Sequence, residues 1–390
     1  MNANPRHTAS LDALRGLLAV GVAAFHYLYF LAPQLWGGVT HLGYLCVSGF
    51  FALSAYLIPA ALFRQQQAYP AWPAALHLGR YALHRLTRLL PAYYASLAVV
   101  ALLLYPLLAR GEGALAAGAF WLQLGQHLLL GQFLTPAGSA SFGLNGAYWT
   151  LTLELIWYAL CPLLFLLLRS PQARYAALAA LLALYFVYKL AVLGLSDAAL
   201  TRFFALPPGD EAAAFNHRVF LLRQFPAHLP FFIGGALLAL WHASGRSEPL
   251  SDRFALAASL LLLGPGWLWG DSTMAAPLNG VVNVVNPLLQ AAGFTLLLYA
   301  LLHLRVHPPQ PAAFLGRISY SLYLWHFPLL IIARESGVAS RLDGLTLMLL
   351  YGGELLLLAT ASYYLVEEAG FRLRRRWEGR WFKDSAAENA

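Results

Sequence analysis

Apolar stretches of roughly twenty residues recur along almost the entire chain, and this repetition constrains the fold more than any single motif. A hydrocarbon core about 30 Å thick takes a helix of about 20 apolar residues to cross. Windows of that kind lie near 11–32, 39–63, 89–109, 148–168, 173–195, 224–243, 253–270, 284–304, 314–334 and 342–366. A soluble fold fails on charge, because 11% of residues are Asp, Glu, Lys or Arg, against about 25% in soluble domains. The expected fold is therefore all-α: a polytopic membrane protein of about ten transmembrane helices, since helices satisfy their own backbone in lipid.

Basic residues set the expected orientation. Arg64, Arg80, Arg85 and Arg88 crowd the connection between the second and third windows, and the C-terminal "RLRRRWEGRWFK" is more basic still. Both belong on the cytoplasmic side, together with the N-terminus if the span count is even. The net charge of +8 is then accounted for without a nucleic-acid partner. Residues 114–135 are left over. A crossing there would invert everything after it, so the expectation is a re-entrant or interfacial helix, with Gln123, Gln126, His127 and Gln132 turned to water or a cavity. The alternative is an eleventh crossing with an outer N-terminus.

Residues 132–147 and 196–222 read as outer loops. Residues 1–370 read as one transmembrane domain and 371–390 as a short basic tail on the anionic leaflet. The first window exceeds a signal-peptide core and no small-residue cleavage site follows it, so it is expected to remain as a span. Cys46 and Cys161 both fall in apolar runs, which argues against a disulfide framework.

The first window, "LDALRGLLAVGVAAFHYLYF", carries Asp12, Arg15 and His26. Eleven residues at 100° each close to within about 20° of three turns, so Arg15 and His26 share a face, about 16 Å apart along the axis. Asp12 is placed to pair with Arg15. Ionisable residues inside a membrane mark functional sites by default; a helix-packing histidine with interfacial charges is the plainer reading. The spacing suits an extended phosphopantetheine arm, with arginine at the phosphate end and histidine at the thioester.

Five blocks in order resemble the acyltransferase family 3 membrane proteins. "LDALRGLLAVGVAAFHY" carries the family's Arg, ten residues, then His. "FFALSAYLI" (50–58) resembles "FFxLSGFLI", with Ala55 in place of Gly and Tyr56 in place of Phe. "HRLTRLLPAYY" supplies the Arg-x-x-Arg pair as Arg85 and Arg88. "LNGAYWTLTLELIWYALCPLL" resembles "WSLxxExxFYxxxP", keeping Trp149, Glu154, Tyr158 and Pro162 but with Thr150 and Trp157 for Ser and Phe. "LGRISYSLYLWHFPLL" resembles "LGxxSYxxYLxHxP".

The resemblance implies a membrane O-acyltransferase, moving an acyl group, acetyl in particular, from cytoplasmic acyl-CoA to a hydroxyl of a sugar or glycan. Its essential histidine corresponds to His26 and its paired arginines to Arg85 and Arg88. Acyl-CoA is then a co-substrate, no cofactor is permanently bound, and the site is the bacterial inner membrane. Arg15 joins Arg85 and Arg88 as a phosphate ligand, because guanidinium forks suit phosphate better than lysine. Glu154 either orients His26, contacts the acceptor, or makes a structural hydrogen bond. Tyr148 and Trp149 either stack on a sugar or belong to an interfacial belt. His326 and Tyr323 either line the acceptor site or pack helices. No histidines show ligand spacing, so no metal site is expected. A transporter or flippase for an acylated lipid or glycan, with the same polar residues lining a conduit, is the competing reading.

Overall fold

The structure, a computed structural model, describes residues 5–33, 41–104, 117–133, 135–136, 144–245, 250–269, 280–304 and 308–382, with side chains described from residue 9 onward and not at 117–119 or 266–269. Every described element is helical: α1 Pro5–Leu31, α2 Leu42–Ala68, α3 Ala74–Val99, α4 Ala117–Leu128, α5 Trp149–Pro162, α6 Pro171–Gly194, α7 Asp197–Phe204, α8 Glu211–Leu222, α9 Leu229–Ala243, α10 Asp252–Trp269, α11 Gly280–His303, α12 Gln310–Glu335, α13 Gly344–Ser362 and α14 Glu368–Trp381. α3, α5 and α13 each run on through a wider π turn, at Val100–Leu104, Leu163–Leu167 and Tyr363–Glu367. The chain is an all-α polytopic membrane protein, and each of the ten expected spans falls on a long helical run. Among the described residues, eight helices are long and apolar enough to cross a membrane.

α12 is not among those eight, although residues 318–328 are almost wholly buried. Its polar residues face protein rather than lipid. It packs along α1, and the two backbones touch at Gly16 and Gly316. A Cβ on Gly16 would lie 2.6 Å from the Gly316 nitrogen, and one on Gly316 would run into the Asp12 carbonyl. Ten residues further along both helices, His26 meets His326. Equal offsets in the same direction mean that α1 and α12 are parallel. Seven long helical runs lie between them in sequence, which gives that parity; an added crossing at α4 would make them antiparallel. α4 has 12 residues, about 18 Å of helix, too short for the hydrocarbon core.

The polar residues of α4 and of the turn after it do not face water or a cavity as expected. Gln123, Gln126, His127 and Gln132 are buried. The His127 ring bonds the Gln123 carbonyl, Gln132 donates to the Tyr148 carbonyl, and Tyr93 and Tyr94 of α3 donate to the carbonyls of His127 and Leu128. The His127 carbonyl also takes the Leu130 N–H at 3.0 Å, and the two tyrosines tie this end of α4 to α3.

Prolines inside helices are handled the same way. Pro162 removes the donor for the Tyr158 carbonyl, which instead accepts from the Tyr81 hydroxyl at 2.9 Å. Pro328 frees the Leu324 carbonyl, which accepts from the Asn145 amide at 3.1 Å. Neighbouring helices thus repair the missing bonds that a lipid environment cannot.

Two further expectations are revised. The segment 196–222, read as a loop, holds α7 and α8, each opened by a side-chain cap: Ser196 accepts from Ala199 and Asp210 from Ala213. The basic segment 64–88 is largely helical, so that Arg80, Arg85 and Arg88 lie in α3. The tail through Trp381 is α14, and its Glu378 bonds Arg80 Nε at 2.9 Å and the His84 ring. The basic connection and the tail therefore lie at the same end of the molecule, while residues 383–390 of the tail lie outside the described residues.

Candidate functional site

A cavity of about 100 Å³ opens among α1, α2, α3, α5 and α12. Arg15, Arg85 and Arg88 converge on it, and Glu154 is the one carboxylate among its lining residues. The helices explain the convergence. Arg85 and Arg88, three residues apart, share a face of α3, while Arg15 comes from the end of α1 held against α12 by the glycine contact. Asp12 takes Arg15 at 3.0 Å. Arg85 lies over the rings of Tyr81 and Tyr158, 5.8 and 5.9 Å from their centroids, and its buried Nε has no hydrogen-bond partner among the described residues. Three guanidinium groups thus meet at one cavity, with Asp12 paired to Arg15 and Glu154 in the lining.

Glu154 accepts from Ser54 Oγ at 3.1 Å and from the Tyr158 hydroxyl at 2.8 Å. It lies in the cavity and not against His26. Behind the same arginines, Glu367 is buried and takes the Ser321 hydroxyl at 2.6 Å.

Tyr323 also lines the cavity. Its hydroxyl bonds the Thr150 hydroxyl at 2.6 Å and the Ala147 carbonyl at 2.7 Å. Its ring packs 5.5 Å from that of His326. His326 is fully buried, with Nδ1 2.7 Å from the Tyr323 carbonyl and Nε2 3.2 Å from His26 Nδ1. His26 also reaches the Val22 carbonyl at 3.0 Å and lies between Phe25 and Phe327. Arg15 therefore lines the cavity while His26 stands behind Tyr323, in contact with His326. Sequence reading selected both histidines but had no means of pairing them.

The two aromatic candidates separate. Tyr148 is fully buried and hydrogen-bonded to Ser96 Oγ. Trp149 is partly exposed, with the Arg223 guanidinium 5.6 Å from its ring and the buried His228 at 5.7 Å. Lys189 is fully buried beside His228. Among the described residues no cluster of three His, Cys, Asp or Glu could hold a metal ion.

A helical membrane body with three arginines lining one cavity, and a histidine pair packed behind its Tyr323, defines an integral membrane protein with a polar cavity inside its helix bundle. The chain belongs to acyltransferase family 3: residues 8–367 match the model of its acyltransferase domain. It is 26% identical to the O-acetyltransferase OatA of Staphylococcus aureus over 93% of this chain and 57% of that protein. It is 24% identical to the acyltransferase MdmB of Streptomyces mycarofaciens, over 82% of this chain and 78% of that one. With the peptidoglycan O-acetyltransferase OatA of Listeria monocytogenes the identity is 23%, over 84% of this chain and 50% of the relative. The chain thus spans little more than half the length of the OatA relatives. No solved structure matches it.

Proposed function

We propose that the protein is a bacterial inner-membrane O-acyltransferase that moves an acyl group, acetyl in particular, from cytoplasmic acyl-CoA to a hydroxyl of a sugar or glycan. The observation that carries this reading is the continuity of the site: three arginines line one cavity, and another of its lining residues, Tyr323, packs on His326, which meets His26. Coenzyme A presents phosphates for Arg15, Arg85 and Arg88, and its pantetheine arm spans about the distance from Arg15 to His26 along α1. The glycan acceptor is supported by the similarity to the peptidoglycan O-acetyltransferase of Listeria monocytogenes. The N- and C-termini lie in the cytoplasm, where the basic end of α3 and the α14 tail meet and where acyl-CoA is found.

In the reaction His26 takes the proton from the acceptor hydroxyl as its oxygen attacks the thioester carbon. The C–S bond breaks, the acyl group stays on the acceptor oxygen, and the leaving thiolate recovers a proton from His26. Glu154 holds Ser54 and Tyr158 in the wall of the donor cavity.

The test is coenzyme A release from acetyl-CoA by the purified full chain, with outer-surface glycans and small hydroxylated acceptors offered in parallel. His26→Ala is expected to abolish acceptor-dependent release, and Arg88→Ala to raise KM for acetyl-CoA. Unchanged release by His26→Ala at normal expression overturns the assignment of the base.

A further inference from the structure

The geometry points to His326 as a positioning residue that fixes the protonation pattern of the His26 ring; this rests on His26 being the base of the proposed reaction. The assignment follows from which atoms can donate. A backbone carbonyl only accepts, so His326 Nδ1, 2.7 Å from the Tyr323 carbonyl, carries its proton. A neutral His326 then leaves Nε2 as an acceptor. The doubly protonated alternative would be an imidazolium at a fully buried position, with no carboxylate bonded to it, which burial strongly disfavours.

The His26 ring faces that acceptor. Its Nδ1 lies 3.0 Å from the Val22 carbonyl and 3.2 Å from His326 Nε2, and both contacts need hydrogen on Nδ1. The lone pair is therefore on His26 Nε2, which is what a base requires. The Val22 carbonyl alone is a weak restraint. It belongs to the same helix, four residues back, where it also receives the backbone N–H of the helical ladder. His326 is the tertiary acceptor that fixes where the ring points.

The support around His326 is built for holding position. The Tyr351 hydroxyl donates to the His326 carbonyl at 3.1 Å, and Asn145 secures the Leu324 carbonyl two residues earlier. Phe327 packs edge-on against His26, with centroids 5.5 Å apart. One helix thus supplies the hydrogen-bond acceptor and one aromatic wall of the base.

The experiment compares wild type, His26→Ala, His326→Phe and His326→Gln for acetyl-CoA turnover, with folding checked by size exclusion. Glutamine can offer a carbonyl oxygen near the position of Nε2, while phenylalanine keeps the ring and removes the acceptor. His326→Phe is expected to lower kcat by about tenfold or more, with KM for acetyl-CoA unchanged, and His326→Gln to recover most of the loss. Unchanged kcat in His326→Phe, with His26→Ala inactive, overturns the inference while leaving the function standing. Loss in both His326 variants with KM raised in parallel also overturns it, since that marks a merely structural role. Nitrogen-15 spectra of histidine-labelled wild type, assigned through His26→Ala, give an answer independent of how the His326 variants fold. Protonated Nδ1 on His26 supports the inference, and protonated Nε2 refutes it. An active His26→Ala removes His26 as the base, the reading on which the inference rests, whichever ring nitrogen carries the proton.

Discussion

Replacing Gly16 with alanine tests whether the α1–α12 contact sets the geometry of the histidine pair. The added Cβ would stand 2.6 Å from the Gly316 nitrogen and 2.8 Å from the Leu315 carbonyl carbon, both backbone atoms that cannot swing aside. Ordinary contact begins at 3.4 Å, so the helices must part by about 0.8 Å. Carried along two parallel rods, that shift takes the His26–His326 contact from 3.2 Å to about 4 Å, beyond hydrogen-bond reach. Overpacking of this kind costs about 1–3 kcal/mol of stability. A misplacement near 1 Å in a reacting group can cost about a hundredfold in rate, so kcat is expected to fall between about tenfold and a hundredfold. The assay is coenzyme A release together with a thermal-stability curve in detergent. Gly353→Ala is the control, because a Cβ there meets nothing within 4 Å, and helix propensity favours alanine by about 1 kcal/mol. A Gly16→Ala protein with kcat within twofold of wild type and an unshifted melting curve would refute the reasoning.

Three further outcomes follow from the geometry. Replacing Arg85 and Arg88 together by lysine is expected not to restore the KM for acetyl-CoA of the wild type, since a point charge lacks the planar fork; titration of KM with the double variant checks it. Tyr81→Phe leaves the Tyr158 carbonyl that Pro162 already deprives of its helical partner without a donor, and should lower stability by about 1–3 kcal/mol, read as an earlier melting transition. Glu378→Gln weakens the link from α14 to Arg80 and His84, so limited proteolysis of the detergent-solubilised protein should release the tail faster than in wild type.

Most of the spans were legible in the sequence because eight of the long helices among the described residues are local apolar runs long enough to cross lipid. The five blocks named the residues of the site because their types and short-range spacings lie within single helices. What depends on partners far along the chain was not legible. Gln123 and His127 read as water-facing because nothing local indicates the Tyr93 hydroxyl or the burial of α4. Glu154 sits in the right helix, but its bonds to Ser54 and Tyr158 turn it toward the arginines. The pairing of His26 with His326 follows from two glycines three hundred residues apart, and no periodicity records that. The caps at Ser196 and Asp210 were local signals, and reading them would have converted the supposed loop at 196–222 into helices.

The parallel contact between α1 and α12 also dictates when the site can exist. Its halves are separated by 300 residues, so at about 5–20 residues per second the ribosome needs roughly 15–60 s to deliver the second after the first. Throughout that interval α1 holds Asp12, Arg15 and His26 in or near the bilayer without the helix that completes their surroundings. A lone charge at the bilayer centre carries a penalty of about 2.5–3.5 kcal/mol on insertion scales. The nascent protein is thus born with its charged helix waiting, and any chain that stops before α12 keeps His26 but lacks the His326 ring that it touches.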